Sequence, residues 1–156
     1  MNLVFFLVSK SYISNRHITY ETLPRGYIQS ETSVHFMNYH FVWTPKYRRK
    51  VIVGDVEKRL KSLLKEKCDQ LNIEIISLET MPDHIHIFVR SQPTIAPNRI
   101  AAALKGYTSR ILRQEFSELK SKLPTLWSRS YFVSTHGHLS TDTVEKYIEE
   151  QQQTTR

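Results

Sequence analysis

Two histidines separated by one residue are the clearest chemical signal in the sequence. His84 and His86 stand in the run Met81-Pro82-Asp83-His84-Ile85-His86-Ile87-Phe88-Val89, where β-branched residues alternate with other side chains. Such alternation predicts a strand, and side chains two residues apart on a strand point to one face. Neutral imidazole is the commonest metal ligand among side chains, so the pair suggests a metal site. The alternative is a half-buried strand whose polar face carries two histidines and no metal.

A second candidate group lies near the end of the chain. Tyr147 and Gln151 are four residues apart on a predicted helix, and are therefore neighbours on one helical face. Val144 and Ile148 lie close to the same stripe, so spacing alone favours packing for the tyrosine and solvation for the glutamine. Spacing alone therefore does not identify Tyr147 as a nucleophile.

The other histidines are weaker candidates. His136 and His138 form a rival pair, but they flank Gly137 in a predicted loop, where side-chain geometry is less fixed than on a strand. We interpret the isolated histidines as surface or core residues rather than ligands: His17, His35 and His40.

The positive charge is concentrated in one part of the chain. Residues 46–67 hold nine Lys or Arg against three Asp or Glu, which accounts for most of the net charge of +7. The run Lys46-Tyr47-Arg48-Arg49-Lys50 places an aromatic ring among basic side chains, which suits phosphate binding with base stacking. A solvated helix face is the alternative explanation. Because the run directly follows a predicted strand, where loops carry function, we favour a nucleic-acid partner.

Length and cysteine content restrict the class of protein. At 156 residues, we expect one domain with its own core over 36–156, after an N-terminal extension, 1–35, to which we assign no role. The single cysteine, Cys68, excludes an internal disulfide and a cysteine-based zinc site. The apolar run at 3–8 is too short to span a bilayer and lacks the flanks of a signal peptide. The sequence therefore predicts a cytoplasmic protein without a membrane partner.

The predicted elements alternate in an order typical of an α+β fold. Helices are predicted at 55–71, from about 97 to 116 and from 141 to about 153. Strands are predicted at 38–44, 73–79, from residue 84 onward and at 126–135. The second and third strands form an antiparallel hairpin through Met81-Pro82-Asp83. The order β-α-β-β-α-β-α predicts an antiparallel sheet covered by helices, of the ferredoxin-like type.

Together, these motifs resemble those of the single-tyrosine transposases of the HUH superfamily, and more narrowly the small insertion-sequence transposases that move single-stranded DNA. The resemblance covers about 36–153. The histidines of Thr135-His136-Gly137-His138 and the whole of 1–35 depart from the family pattern. The motifs that carry the resemblance are Tyr39-His40-Phe41-Val42-Trp43-Thr44-Pro45-Lys46-Tyr47-Arg48-Arg49-Lys50, Met81 to His86, Leu104-Lys105-Gly106, Leu126 to Ser134, and Tyr147-Ile148-Glu149-Glu150-Gln151.

The resemblance implies a site and a reaction. Tyr147 would be the nucleophile, and His84, His86 and Gln151 would hold a divalent metal, Mg²⁺ or Mn²⁺. DNA would be cleaved and rejoined through a 5′-phosphate on the tyrosine. The resemblance also implies a homodimer with active sites shared between subunits, and recognition of hairpins at element ends. We expect the DNA surface to include the basic run and part of the long helix: Lys46, Tyr47, Arg48, Arg49, Lys50, Lys105, Arg110 and Arg113.

Two other functions are compatible with parts of the sequence. A non-catalytic nucleic-acid-binding module on a ferredoxin-like sheet needs only the basic run and the aromatic residues. A metal-dependent nuclease that uses water needs the histidines but not Tyr147. The reaction of Tyr147 with DNA separates these alternatives from a transposase.

Overall fold

A computed structural model describes residues 27–29 and 33–136. Tyr147, Gln151, His138 and the helix predicted from residue 141 lie outside these ranges. Within the predicted N-terminal extension, strands β1 (Ile28–Gln29) and β2 (Val34–His35) pair in antiparallel fashion. The described part of the extension therefore contains a short two-stranded ladder directly before the main sheet.

The main sheet has four antiparallel strands. They are β3 (Met37–Trp43), β4 (Glu74–Met81), β5 (His84–Ser91) and β6 (Phe132–His136), in the spatial order β4-β5-β3-β6. The helices are α1 (Gly54–Gln70), α2 (Pro97–Glu115) and α3 (Ser117–Lys122). The predicted ferredoxin-like α+β fold is confirmed, since the first long strand lies between the third and the last.

The helices form where the sequence places an apolar stripe. In α1, five residues at helical spacing are buried: Val56, Leu60, Leu63, Leu64 and Cys68. In α2, Pro97 occupies the first turn, where its missing N–H costs no hydrogen bond. The two helices lie side by side, and the Arg59 guanidinium binds both carboxylate oxygens of Glu115 at 2.8 Å. They form a layer over one face of the sheet.

The two faces of the sheet carry different side chains. Ile85, Ile87 and Val89 are fully buried and belong to the same core cluster as Leu60 and Leu104 from the two helices. We call this side the helix face. His84 and His86 alternate with those residues and therefore lie on the opposite side, which we call the histidine face.

Two segments differ from the prediction. The strand predicted at 126–135 begins only at Phe132, and residues 126–131 join the main sheet through an isolated bridge between Trp127 and Pro45. Alternation fails there because buried residues occur side by side, at Leu126 and Trp127. Helix α3 lies between the predicted elements, where no helix was predicted; it is too short to show a helical period but buries Leu119.

None of the helices in the described ranges is long and apolar enough to cross a membrane.

Candidate active site

The histidine pair lies at the start of β5, directly after a tight connection from β4. The backbone N–H of Ile52 donates to the Pro82 carbonyl at 3.0 Å, which ties this connection to the segment before α1. The rings of His84 and His86 have centroids 5.1 Å apart, on the same face of the strand. The predicted juxtaposition of the two imidazoles is therefore present.

Asp83 orients the first imidazole. His84 Nδ1 donates to Asp83 Oδ1 at 2.7 Å, and Arg48 Nη2 donates to Asp83 Oδ2 at 3.0 Å. Burial alone would raise the pKa of Asp83, but the hydrogen bond and charge of His84, together with Arg48, hold it below its usual range. An ionised carboxylate on Nδ1 fixes the tautomer that presents Nε2 as a ligand.

His86 has a different environment. Its ring is half-buried, and burial, reinforced by the neighbouring His84, lowers the pKa of His86. A lowered pKa favours the neutral imidazole, which is the form that binds metal ions. The donor chemistry of both histidines therefore fits a divalent metal.

The histidine pair alone does not complete a metal site. Over residues 27–29 and 33–136, no group of three or more His, Cys, Asp or Glu side chains is placed to hold a metal ion. A further donor would have to be of another type or come from another part of the chain. Gln151, the predicted third ligand, carries an amide oxygen and lies outside the described ranges.

His40 lies beside the histidine pair, a position that was not predicted from the sequence. The interpretation as a surface or core histidine is confirmed by its burial, and the structure also places its Nε2 3.1 Å from Nδ1 of His86. His40 is only 4 % exposed. The signal was available: if strands 38–44 and 84–89 pair in antiparallel fashion, His40 can lie on the face that carries His86.

The basic run lies at the same end of the sheet as His84. Residues Lys46–Arg48 form a 3₁₀ turn in which Tyr47 has φ 60° and Arg48 has φ 50°. Such left-handed conformations are uncommon for residues other than glycine. The ring of Tyr47 is 69 % exposed, with Lys46 Nζ 5.1 Å from its centroid. The Arg48–Asp83 ion pair connects this exposed turn to the histidines.

The transposase family model with the description "Transposase IS200 like" matches residues 33–151. The chain belongs to this family. Among curated relatives, the ISDra2 transposase TnpA of Deinococcus radiodurans is 35% identical over 136 residues, which are 86% of this chain and 97% of the relative. The transposase for insertion sequence element IS200 of Salmonella typhimurium is 34% identical over 115 residues, covering 72% of this chain and 75% of the relative.

Solved structures are also similar to this chain. A candidate transposase from Deinococcus radiodurans matches with a TM-score of 0.62 and 32% identity, over 83% of this chain and 97% of that one. A REP-associated tyrosine transposase, solved bound to a REP hairpin, matches with a TM-score of 0.54 and 12% identity, over 81% of this chain and 68% of that one. The second likeness concerns the fold alone.

Two of the predicted DNA contacts of this IS200-like transposase lie away from the histidines. Arg110 and Arg113 are on α2, in the helical layer on the other side of the sheet. Arg110 lies over the ring of Tyr107, 5.9 Å from its centroid. Arg113 Nη1 donates to the Leu123 carbonyl at 2.8 Å. The structure therefore brings the basic run to the site, but not these two arginines.

Lys105 has a structural partner that the sequence did not indicate. Its ammonium donates to the carbonyls of Ser128, Arg129 and Ser130 at 2.9, 3.3 and 3.0 Å. Burial lowers the pKa of Lys105. Since an ammonium has three N–H groups, Lys105 holds the segment before β6, and its predicted DNA contact has no support from this geometry.

The rival histidine pair belongs to the last described residues. The backbone of His136 pairs with Asn38 at the end of β6, whereas His138 lies outside the described ranges.

Proposed function

We propose that this IS200-like transposase cleaves and rejoins single-stranded DNA at the ends of an insertion sequence, through a 5′-phosphotyrosine on Tyr147. The observation that supports the proposal best is the pair His84–His86 on the histidine face, with hydrogen-bond partners on both Nδ1 atoms and an exposed basic turn beside it. The pair supplies metal ligands, and the turn supplies positive charge for the phosphate backbone.

The metal would be held by His84, His86 and Gln151. All three side chains are neutral donors when they bind, so they leave the positive charge of the ion for the DNA. A bound Mg²⁺ or Mn²⁺ would polarise a non-bridging phosphate oxygen and favour in-line attack. Mixed nitrogen and oxygen ligation suits either ion.

Tyr147 would form the covalent bond. Its phenolic oxygen attacks the scissile phosphorus, the bond from phosphorus to the 3′ oxygen breaks, and the phenolic proton is lost to solvent while the leaving oxygen takes up a proton. One phosphodiester is exchanged for a phosphotyrosine diester, so rejoining needs no external energy source. Attack by the 3′-OH of another strand end reverses the step and restores the free tyrosine.

The DNA surface would begin at the exposed turn. Tyr47 presents an exposed ring on which a base can stack, and Arg49 and Lys50 are exposed beside it. The relative that is bound to a REP hairpin shares the fold, and we extend hairpin recognition to the element ends of this chain. Arg48 would contribute through its charge while it remains bound to Asp83.

The role of Tyr147 can be tested by one substitution. Tyr147→Phe removes only the nucleophilic oxygen, so cleavage of single-stranded DNA should be abolished while binding of the same DNA stays within about twofold. Gel assays of cleavage and binding measure both. Retained cleavage would favour a nuclease that uses water, and loss of binding as well would make Tyr147 a structural residue.

We also propose a homodimer in which each active site takes its histidines and its tyrosine from different subunits. Mixing His84→Ala with Tyr147→Phe under conditions of subunit exchange should then restore part of the cleavage activity. Each mixed dimer would hold one site with both intact groups. If exchange is confirmed by differently tagged subunits and the mixture stays inactive, the sites are not shared.

A further inference from the structure

His40 and His86 meet because of the register between β3 and β5. Val42 pairs with His86 and His40 pairs with Phe88, so the two histidines are diagonal neighbours on the histidine face. Diagonal neighbours in a sheet are within reach of long or aromatic side chains. The two ring planes are inclined by 20° and their centroids are 5.3 Å apart. A contact of 3.1 Å between Nε2 and Nδ1 joins the rings.

The surroundings of His40 restrict its movement. The ring centroids of Phe88 and Phe132 each lie 6.5 Å from the ring centroid of His40, at interplanar angles of 71° and 77°. Phe88 is 2 % exposed and His40 is 4 % exposed. A histidine that is packed between two aromatic rings holds its nitrogen in a fixed place, which is a requirement for a residue that orients another.

The position of the protons decides what the contact does. A neutral imidazole has one N–H donor and one acceptor nitrogen. If His86 offers Nε2 to a metal, its proton must be on Nδ1, and that N–H then donates to Nε2 of His40, 3.1 Å away. His40 then accepts at Nε2 and carries its own proton on Nδ1. The opposite arrangement places the proton of His86 on Nε2 and blocks that nitrogen.

We propose that His40 is a positioning residue for the metal site. By accepting a hydrogen bond from His86 Nδ1, it holds that imidazole in the orientation and tautomer that present Nε2, as the Asp83 carboxylate does for His84. The two ligands thus have acceptors of different charge, an imidazole for one and a carboxylate for the other. This inference rests on the proposed role of His84 and His86 in binding metal.

Two substitutions at one position separate the hydrogen bond from packing. His40→Phe keeps a ring of similar size but removes the acceptor nitrogen. His40→Gln keeps an acceptor, because the side-chain amide oxygen can take the place of Nε2. Loss of a hydrogen-bond partner of a metal ligand lowers metal affinity by roughly 10- to 100-fold. We expect that loss for His40→Phe, and an affinity within a few-fold of the parent for His40→Gln.

The test measures Mn²⁺ binding to the full chain without DNA. The electron paramagnetic resonance signal of free Mn²⁺ gives the fraction of metal that is not bound. Phe41→Leu is the matched control, since Phe41 is a fully buried neighbour on the same strand but lies on the helix face. It should lower the unfolding temperature and leave the Mn²⁺ affinity within a few-fold. Equal weakening by Phe41→Leu and His40→Phe, or by His40→Gln and His40→Phe, would overturn the proposal.

A second readout uses the metal-free parent, so it stands even if a variant fails to fold. Nitrogen-15 NMR of the imidazoles should show His86 protonated at Nδ1, and His86 protonated at Nε2 would contradict the proposal. His84→Ala separates a failure of the proposed metal site from a failure of the proposed role of His40. If His84→Ala leaves Mn²⁺ binding unchanged, the proposed metal site fails. If it abolishes binding while His40→Phe does not weaken it, only the role of His40 fails.

Discussion

The two faces of the four-stranded sheet are built from the same strands but for different purposes. On the helix face, β5 contributes Ile85, Ile87 and Val89, all fully buried. On the histidine face, the same strand contributes His84 and His86, which remain partly exposed and have named hydrogen-bond partners. Alternation thus lets one rigid strand serve as core and as site, because each side chain's direction is fixed by the backbone.

Side chains on the two faces are held in place by different interactions. On the helix face, close packing of apolar side chains is sufficient. On the histidine face, order depends on hydrogen bonds from neighbouring elements: Asp83 from the turn, Arg48 from the basic run and His40 from β3. Substitution of these hydrogen-bonding groups should therefore affect chemistry more than stability, and substitution of the apolar residues on the helix face should do the reverse.

The largest expected effect is on the histidine face. His84→Ala or His86→Ala should lower metal-dependent cleavage of single-stranded DNA by more than roughly 100-fold. Loss of a hydrogen-bond partner of a metal ligand can already cost roughly 100-fold, and loss of the ligand itself should cost more. Removal of the metal by EDTA should reproduce this loss in the parent. His136→Ala and His138→Ala serve as controls and should have smaller effects. If the second pair proves essential and the first dispensable, the metal site is assigned to the wrong residues.

The next prediction contrasts stability across the sheet. Ile87→Ala on the helix face should lower the free energy of unfolding by about 2–5 kcal/mol, because it leaves a cavity in the core. Phe132→Ala removes more atoms, but Phe132 is 57 % exposed, so the loss should stay below about 1 kcal/mol. Denaturant unfolding of both variants measures this difference. Equal losses would mean that the histidine face is packed as tightly as the core.

The smallest expected effect is on the salt dependence of DNA affinity. Arg49→Ala with Lys50→Ala should reduce the slope of log affinity against log salt for single-stranded DNA by about 0.7 for each phosphate contact that is lost. Arg48 is left unchanged because it also binds Asp83, so its substitution would disturb the histidine pair as well. Arg110→Ala with Arg113→Ala, on the helical layer, tests the rest of the predicted DNA surface, and we expect a smaller change in slope. The reverse ranking would place the DNA on the helical layer.

The elements that depend on local periodicity could be predicted from the sequence. Strands β3 and β4 and helices α1 and α2 begin and end within a few residues of the predicted bounds, β5 begins at the predicted residue, and the hairpin before His84 is present. The strand predicted at 126–135 was too long because the carbonyls of Ser128 to Ser130 are taken by Lys105 from a distant helix. Sequence periodicity carries no information on such a partner.

The candidate site could be predicted only where its residues are close together in the sequence. His84 and His86 share a strand, so alternation was sufficient. His40 is 46 positions from His86, and its role depends on the register of β3 against β5, which the sequence does not specify residue by residue. The placement of Tyr147 against the histidines also stays a prediction, since Tyr147 lies outside the described residues.

The proposed reaction joins Tyr147 covalently to DNA. The most direct measurement is mass spectrometry of tryptic peptides after reaction with a single-stranded element end and divalent metal. Residues 147–156 form one tryptic peptide with Tyr147 as its only tyrosine. We predict this peptide with a nucleotide attached to Tyr147 through its 5′-phosphate, and its absence when EDTA is present. Cleaved DNA with no adduct on this peptide, or an adduct on another residue, would rule out Tyr147 as the nucleophile.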